Sequence, residues 1–138
     1  ITQPTQRRGL NIKTNNSSSW DQIIAGMESV LHSSRGTARA SGRNSPYRIA
    51  GKTGTAQVVG ISQDGEDRSN ELPEELRDHA LFIAFAPIEQ PRIAIAVVVE
   101  NGGSGSRAAA PIARKIMDYY FIHRLRRASL RGIAHVFG

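Results

Sequence analysis

Apolar residues recur at helical spacing near both ends of the chain and in short dense runs between them. Trp20, Ile23, Ile24, Met27, Val30 and Leu31 repeat every three or four positions, which predicts an amphipathic helix of about three turns. Ser19 is its expected N-cap, with Gln22 as the capping-box partner three residues on, and Gly36 its expected stop. Trp20 is expected in the core. Residues 37–46 read as a basic loop, and Pro46 starts an extended segment. Three strands should follow: YRIAGKTGTAQVVG over 47–60, HALFIAFAP over 79–87 and RIAIAVVVEN over 92–101. The short turn at 88–91 makes the last two an antiparallel hairpin. Ile93, Ile95, Val97 and Val99 alternate with Ala94, Ala96 and Val98, so the last strand is apolar on both faces and is expected to be central and covered on both sides. A second helix is expected from near Ala108 to about His123, with Pro111 tolerated in its first turn. Ala109, Ile112, Ala113, Ile116 and Tyr120 should form its inner face.

The fold class that follows is α+β: an antiparallel sheet of three strands flanked by N- and C-terminal helices. Composition narrows it further. The 138 residues suit one domain or part of a larger one, and their 39% hydrophobic content can supply a core with little surplus. There is no cysteine, which excludes disulfides and thiolate zinc sites. Four histidines, His32, His79, His123 and His135, are too scattered to suggest a metal centre. No apolar run reaches membrane-spanning length. Ile1 stands where an initiator methionine would be, so the chain is expected to be a fragment of a longer protein.

The net charge of +6 is unevenly spread. Seven carboxylates crowd between Asp64 and Asp78, in a connection over about 61–77 that is longer than a hairpin needs and is expected to be exposed. Arg35, Arg39, Arg43, Arg48 and Lys52 form a basic run without an acid; they either steer an anionic ligand or solvate a loop. Arg124, Arg126, Arg127 and Arg131 make residues 124–138 a basic tail. Ser104 and Ser106, in a glycine-rich loop, read as flexible and not nucleophilic.

Lys52, Thr53, Gly54 and Thr55 interrupt an apolar strand and carry its chemistry. Alternation puts Thr53 and Thr55 on one face and Lys52 on the other. Two adjacent hydroxyls suit a carboxylate, which accepts several donors at once. Gly54 lets another backbone approach closely, so an extended peptide could add as a strand. Lys52 brings a positive charge beside the same ground, and Gln57, two residues past Thr55, is a further candidate for substrate contact. A phosphate-binding loop would need glycine at position 46, where Pro46 stands.

Lys52-Thr53-Gly54 on a strand resembles the third motif of the penicillin-recognising serine acyltransferases. The flanking blocks GMESVLHSSRGTA, YRIAGKTGTAQVV, HALFIAFAP, IAIAVVVENG and APIARKIMDYY resemble, in order, segments of the class B penicillin-binding proteins, in particular their cell-elongation branch. The likeness runs over roughly residues 19–121. It implies the penicillin-binding, β-lactamase-like transpeptidase fold, with residues 1–123 as the C-terminal part of that domain. It also implies D,D-transpeptidation of peptidoglycan through a serine acyl-enzyme that β-lactams trap. In that reading Lys52 organises the serine and its proton relay, and the Thr53 and Thr55 hydroxyls hold the terminal carboxylate. The Thr55 N–H is an oxyanion donor, and Gly54 permits close approach. No cofactor, metal or nucleic acid is implied. The implied partners are stem peptides, β-lactams, the rest of the domain, and an elongation-complex membrane glycosyltransferase with scaffold proteins. The implied location is the periplasmic face of a bacterial inner membrane. Neither S-x-x-K nor S-x-N occurs in the 138 residues, so the nucleophile is expected outside them. The sheet is then expected to expose apolar surface. A serine β-lactamase or D,D-carboxypeptidase of the same superfamily, and a non-catalytic basic module for nucleic acid or membrane, remain open at this point.

Overall fold

The computed structural model describes residues 18–58 and 73–134, with side chains to 123. Helix α1 spans Ser18–His32 and a single turn, α2, spans Arg39–Gly42. Strand β1 covers Ala50–Ala56, β2 covers His79–Ala86 and β3 covers Ile93–Val99. A short 3-10 turn at Glu74–Leu76 precedes β2, and a π-turn at Gly105–Ala109 leads into helix α3, Ala110–Ala134. The strands form one antiparallel sheet in the order β1-β2-β3. This is the expected α+β arrangement.

Alternation along β2 decides where the core lies. Ala80, Phe82, Ala84 and Ala86 are buried, and their cross-strand partners on β3 are Val99, Val97, Ile95 and Ile93, all half-buried. Against this face lies α3, through Ala109, Ala110, Ala113 and Met117. Small side chains on both surfaces let helix and sheet approach closely, and the large ones fill what is left. Phe82, Ile49 and Met117 are the largest fully buried side chains; each removes enough apolar surface from water to contribute about 1.5–3 kcal/mol.

Several expectations are corrected. The strand expected over 47–60 ends its pairing at Ala56, opposite His79, and begins it at Ala50. Past Ala56 the chain is turned aside as the Val58 N–H donates to Asp78 Oδ1 at 3.1 Å. β3 is not central; β2 is. The Ala94, Ala96 and Val98 face of β3 is exposed, Val98 at 61%, because no described element packs on it. Trp20 is 42% exposed and not core, since α1 touches the sheet with its last turn, where Leu31 is buried. That helix begins at Ser18, so Ser19 lies inside it and is not its N-cap.

On α3 the inner stripe is rotated from the expected one. Ala109 and Ala113 are buried and Tyr120 half-buried as expected, but Ile112 and Ile116 are 42% and 45% exposed, and Met117 takes the inner place. The helix packs on its alanine stripe because that face comes nearest the sheet. It also runs on to Ala134 instead of stopping near His123, so the basic tail continues its backbone. The loop 37–46 contains the turn α2. The acidic connection lies mostly outside the described residues, as do His135 and the residues before Ser18.

Polar ties fix the helices to the sheet. Arg48 donates to both Glu28 carboxylate oxygens and to Glu89 Oε1, all at 2.7 Å, joining α1 to the β2–β3 turn. The Arg48 hydrogen bond holds Glu28 below the usual carboxylate range. Arg114 grips both oxygens of Asp118 and donates to the carbonyls of Ser41 and Arg43, tying α3 to the basic loop. Tyr47 Oη donates to Asp118 Oδ1 at 2.5 Å.

Candidate functional site

β1 is an edge strand, so its outer rim of N–H and C=O groups has no strand partner among the described residues. Such a rim is a template for an extended peptide. Residues directly opposite in an antiparallel pair share a face. Lys52 stands opposite Ile83, and Ile83 opposite Ala96, so Lys52 emerges on the uncovered side of the sheet, where Ile83 is 51% exposed. Its Nζ folds back to donate to the Thr53 carbonyl at 2.7 Å. Thr53 and Thr55 stand opposite Phe82 and Ala80, on the face that α3 covers. At the sheet's margin Thr53 stays half-exposed and Thr55 exposed.

The Gly54 backbone has a close neighbour in the chain's own loop, and it is Gly105 whose missing side chain permits the contact. Gly105 is buried against the Gly54–Leu81 pair: a Cβ built on it would meet the Leu81 carbonyl and stand 2.6 Å from the Gly54 carbonyl. A Cβ on Gly54 itself would come no nearer than 3.3 Å, to Leu81 Cβ. The ground directly between the two threonines is thus occupied, and a ligand must approach from the outer rim. The glycine-rich loop is therefore packed, not loose. Its Ser104 and Ser106 hydroxyls lie 3.0 Å apart, and the Ser104 carbonyl accepts from the Arg107 and Ala108 N–H groups. The loop is tied at its other end too, as Gly103 N–H donates to the Asp78 carbonyl at 2.7 Å and Asn101 N–H to His79 Nδ1 at 2.9 Å.

Of the residues singled out in the sequence, Lys52, Thr53, Gly54 and Thr55 sit together on β1. Gln57 lies beyond the ladder and is exposed. One neighbour lies in the block GMESVLHSSRGTA, which carries the resemblance, but nothing in the sequence ties it to the site. Thr37, in the turn after α1, brings its Oγ1 to 3.4 Å from Thr53 Oγ1. The two are sixteen positions apart in sequence, and only the fold shows their contact. Of the basic run, Arg48 is committed to Glu28 and Glu89, whereas Arg35, Arg39 and Arg43 are exposed. Three of the histidines make contacts among the described residues: His32 Nε2 and His79 Nδ1 accept the Ile49 and Asn101 N–H groups, and the His123 ring lies 4.0 Å from that of Tyr119, tilted by 41°.

The model of the penicillin binding protein transpeptidase domain matches residues 1–118. The peptidoglycan D,D-transpeptidase MrdA of Haemophilus influenzae is 42% identical over 115 residues, which are 83% of this chain and 18% of that protein. The penicillin-binding protein 2 of Pseudomonas aeruginosa, solved in complex with WCK 5153, superposes with a TM-score of 0.65 at 46% identity, over 79% of this chain and 21% of that one. The penicillin-binding protein 2 of Helicobacter pylori, solved in complex with MreC, superposes with a TM-score of 0.64 at 32% identity, over 77% of this chain and 18% of that one. The chain thus spans about a fifth of the length of these relatives. With an edge strand that presents Lys-Thr-Gly-Thr and a match across most of its length, the chain belongs to the penicillin binding protein transpeptidase domain family.

Proposed function

We propose that this chain forms one wall of the active site of a peptidoglycan D,D-transpeptidase of the penicillin-binding protein 2 kind. The observation that carries this reading is the placement of Lys52-Thr53-Gly54-Thr55 on an edge strand, with Lys52 emerging on the uncovered side of the sheet. A nucleophilic serine supplied from outside these 138 residues would attack the penultimate D-Ala carbonyl of a stem peptide. The terminal D-Ala leaves with the serine's proton, and an amine from a neighbouring stem then releases the acyl group as a cross-link. β-Lactams acylate the same serine.

In this scheme Lys52 lies beside the serine and helps to organise its proton transfer. The Thr53 and Thr55 hydroxyls hold the terminal carboxylate at the rim, the Thr55 N–H serves the oxyanion, and Gln57 contacts the peptide. Gly54 leaves the strand without a side chain at that position, which permits close approach of the peptide. The MreC complex of the Helicobacter pylori relative supports a scaffold protein as partner. An elongation glycosyltransferase partner and a place at the periplasmic face of the inner membrane complete the proposal. Among the described residues no helix is long and apolar enough to cross a membrane.

Fluorescent penicillin tests the reading. A full-length protein carrying this segment should be labelled covalently, and Lys52→Ala should slow labelling by about 100-fold or more, the scale of a lost acid–base group. Absence of label on the wild-type protein would sink the proposal. Salt-dependent binding to DNA or anionic lipid, unaffected by Lys52→Ala, would then favour a basic binding module instead.

A further inference from the structure

We infer that Thr37 is a further hydroxyl for the anionic end of the ligand, acting beside Thr53 at the rim of β1. This rests on the transpeptidase reading and goes beyond it by adding a residue from another element. The Thr37–Thr53 separation of 3.4 Å is long for two hydroxyls, whose bonds cluster near 2.7–2.8 Å. The pair is therefore only loosely engaged with itself, and each hydroxyl keeps a proton to donate. Oxygens so spaced can both reach one acceptor at about 2.8 Å, which places a carboxylate oxygen astride them.

Gly105 lies over the Gly54 backbone, so a carboxylate meets the threonines from the outer rim. From that side Thr37 offers a further donor beside Thr53. The turn that carries Thr37 is held firmly. Gly36 N–H donates to Ser33 O at 3.2 Å, Ala38 N–H to Val30 O at 2.9 Å and Arg39 N–H to Gly36 O at 3.1 Å. Ala38 is buried, and a Cβ on Gly36 would fall 2.5 Å from the Ser29 and Val30 carbonyls, so the turn has little room to move. Thr37 itself is exposed. Arg35 and Arg39, both exposed, flank it and bias the local field towards an anion.

Acylation rates of the full-length protein by benzylpenicillin and by its methyl ester decide the matter, because only the first offers a carboxylate. Thr37→Val and Thr37→Ala should each slow acylation by benzylpenicillin about tenfold, the loss expected for one hydrogen bond to a charged group. Thr37→Ser should keep the wild-type rate, and the rate with the ester should not change in any variant. The benzylpenicillin-to-ester ratio is the deciding readout, since partial unfolding lowers both rates and leaves it unmoved. Wild-type ratios in both the valine and alanine variants overturn the assignment. If neither ligand acylates the wild-type protein, the transpeptidase reading itself fails, and that outcome is distinct from a failure of Thr37 alone.

Discussion

Tyr47 ties the segment before β1 to helix α3 through one ring. It packs against Phe121 with ring centroids 4.4 Å apart, lies under the Arg114 guanidinium at 5.8 Å and donates its hydroxyl to Asp118. Burial, and then the Asp118 hydrogen bond, push its phenol well above the ordinary tyrosine range. The folded state therefore holds the Tyr47 proton where the unfolded chain has lost it. Its contribution is fully present below the ordinary pKa of about 10 and is lost as pH rises above it. Tyr47→Phe should cost about 1 kcal/mol at neutral pH, the worth of one hydrogen bond. The alkaline fall in melting temperature should also be shallower in the variant; parallel pH profiles for the two proteins would contradict this. At the same scale, single residues were legible in the sequence where their chemistry was unusual for their place. Lys52 and Thr53 stand out because a strand core does not ask for them. Thr37 does not stand out, because threonine in a turn is ordinary and its partner lies across the fold.

At the level of elements, the loop from Asn101 to Ala109 does more than connect β3 to α3. Its Gly105 seats on the Gly54–Leu81 pair, its Gly103 is held by Asp78, and its Asn101 by His79 and by the Arg77 carbonyl. Asn101 takes a left-handed conformation, φ 55°, which asparagine tolerates better than most residues. Gly105→Ala should destabilise the protein by about 1–3 kcal/mol, as overpacking does, and lower penicillin acylation by displacing β1. Thermal melting and labelling of the same samples test this; an alanine variant with the wild-type melting temperature would mean that the loop yields freely. Helix and strand positions followed from periodicity, but their ends did not. Pairing of β1 stops at Ala56 because Asp78 draws Val58 aside, and the inner stripe of α3 turns on which face reaches the sheet first. Both are outcomes of contacts far apart in sequence.

Among the described residues the sheet is covered on one side only. α3 covers the Phe82 face, while Ile83 and Val98 on the opposite face stay 51% and 61% exposed, beside the exposed Ala94 and Ala96. A concavity of about 390 Å³ opens there between Met27 and the residues Ile83, Phe85, Ala94 and Ala96. An apolar surface of this kind is a liability for a free chain in water. The isolated 138-residue chain should bind a hydrophobic dye and self-associate, and the pair Ile83→Lys with Val98→Lys should suppress both. A dye-silent, monomeric wild-type chain by sedimentation would overturn the view that this face is built to be covered.

The sequence by itself determined the element types, the α+β class and the Lys52–Thr55 cluster, since these depend on local periodicity and on residues whose chemistry is out of place in a strand. Its ordered blocks also carried the family resemblance. Tertiary structure alone decided that β2 and not β3 is central, that Gly105 fills the space over Gly54, and that Thr37 stands beside Thr53. Each of these is a meeting of segments distant along the chain, and it is set by which surfaces pack together, a property that no local pattern encodes.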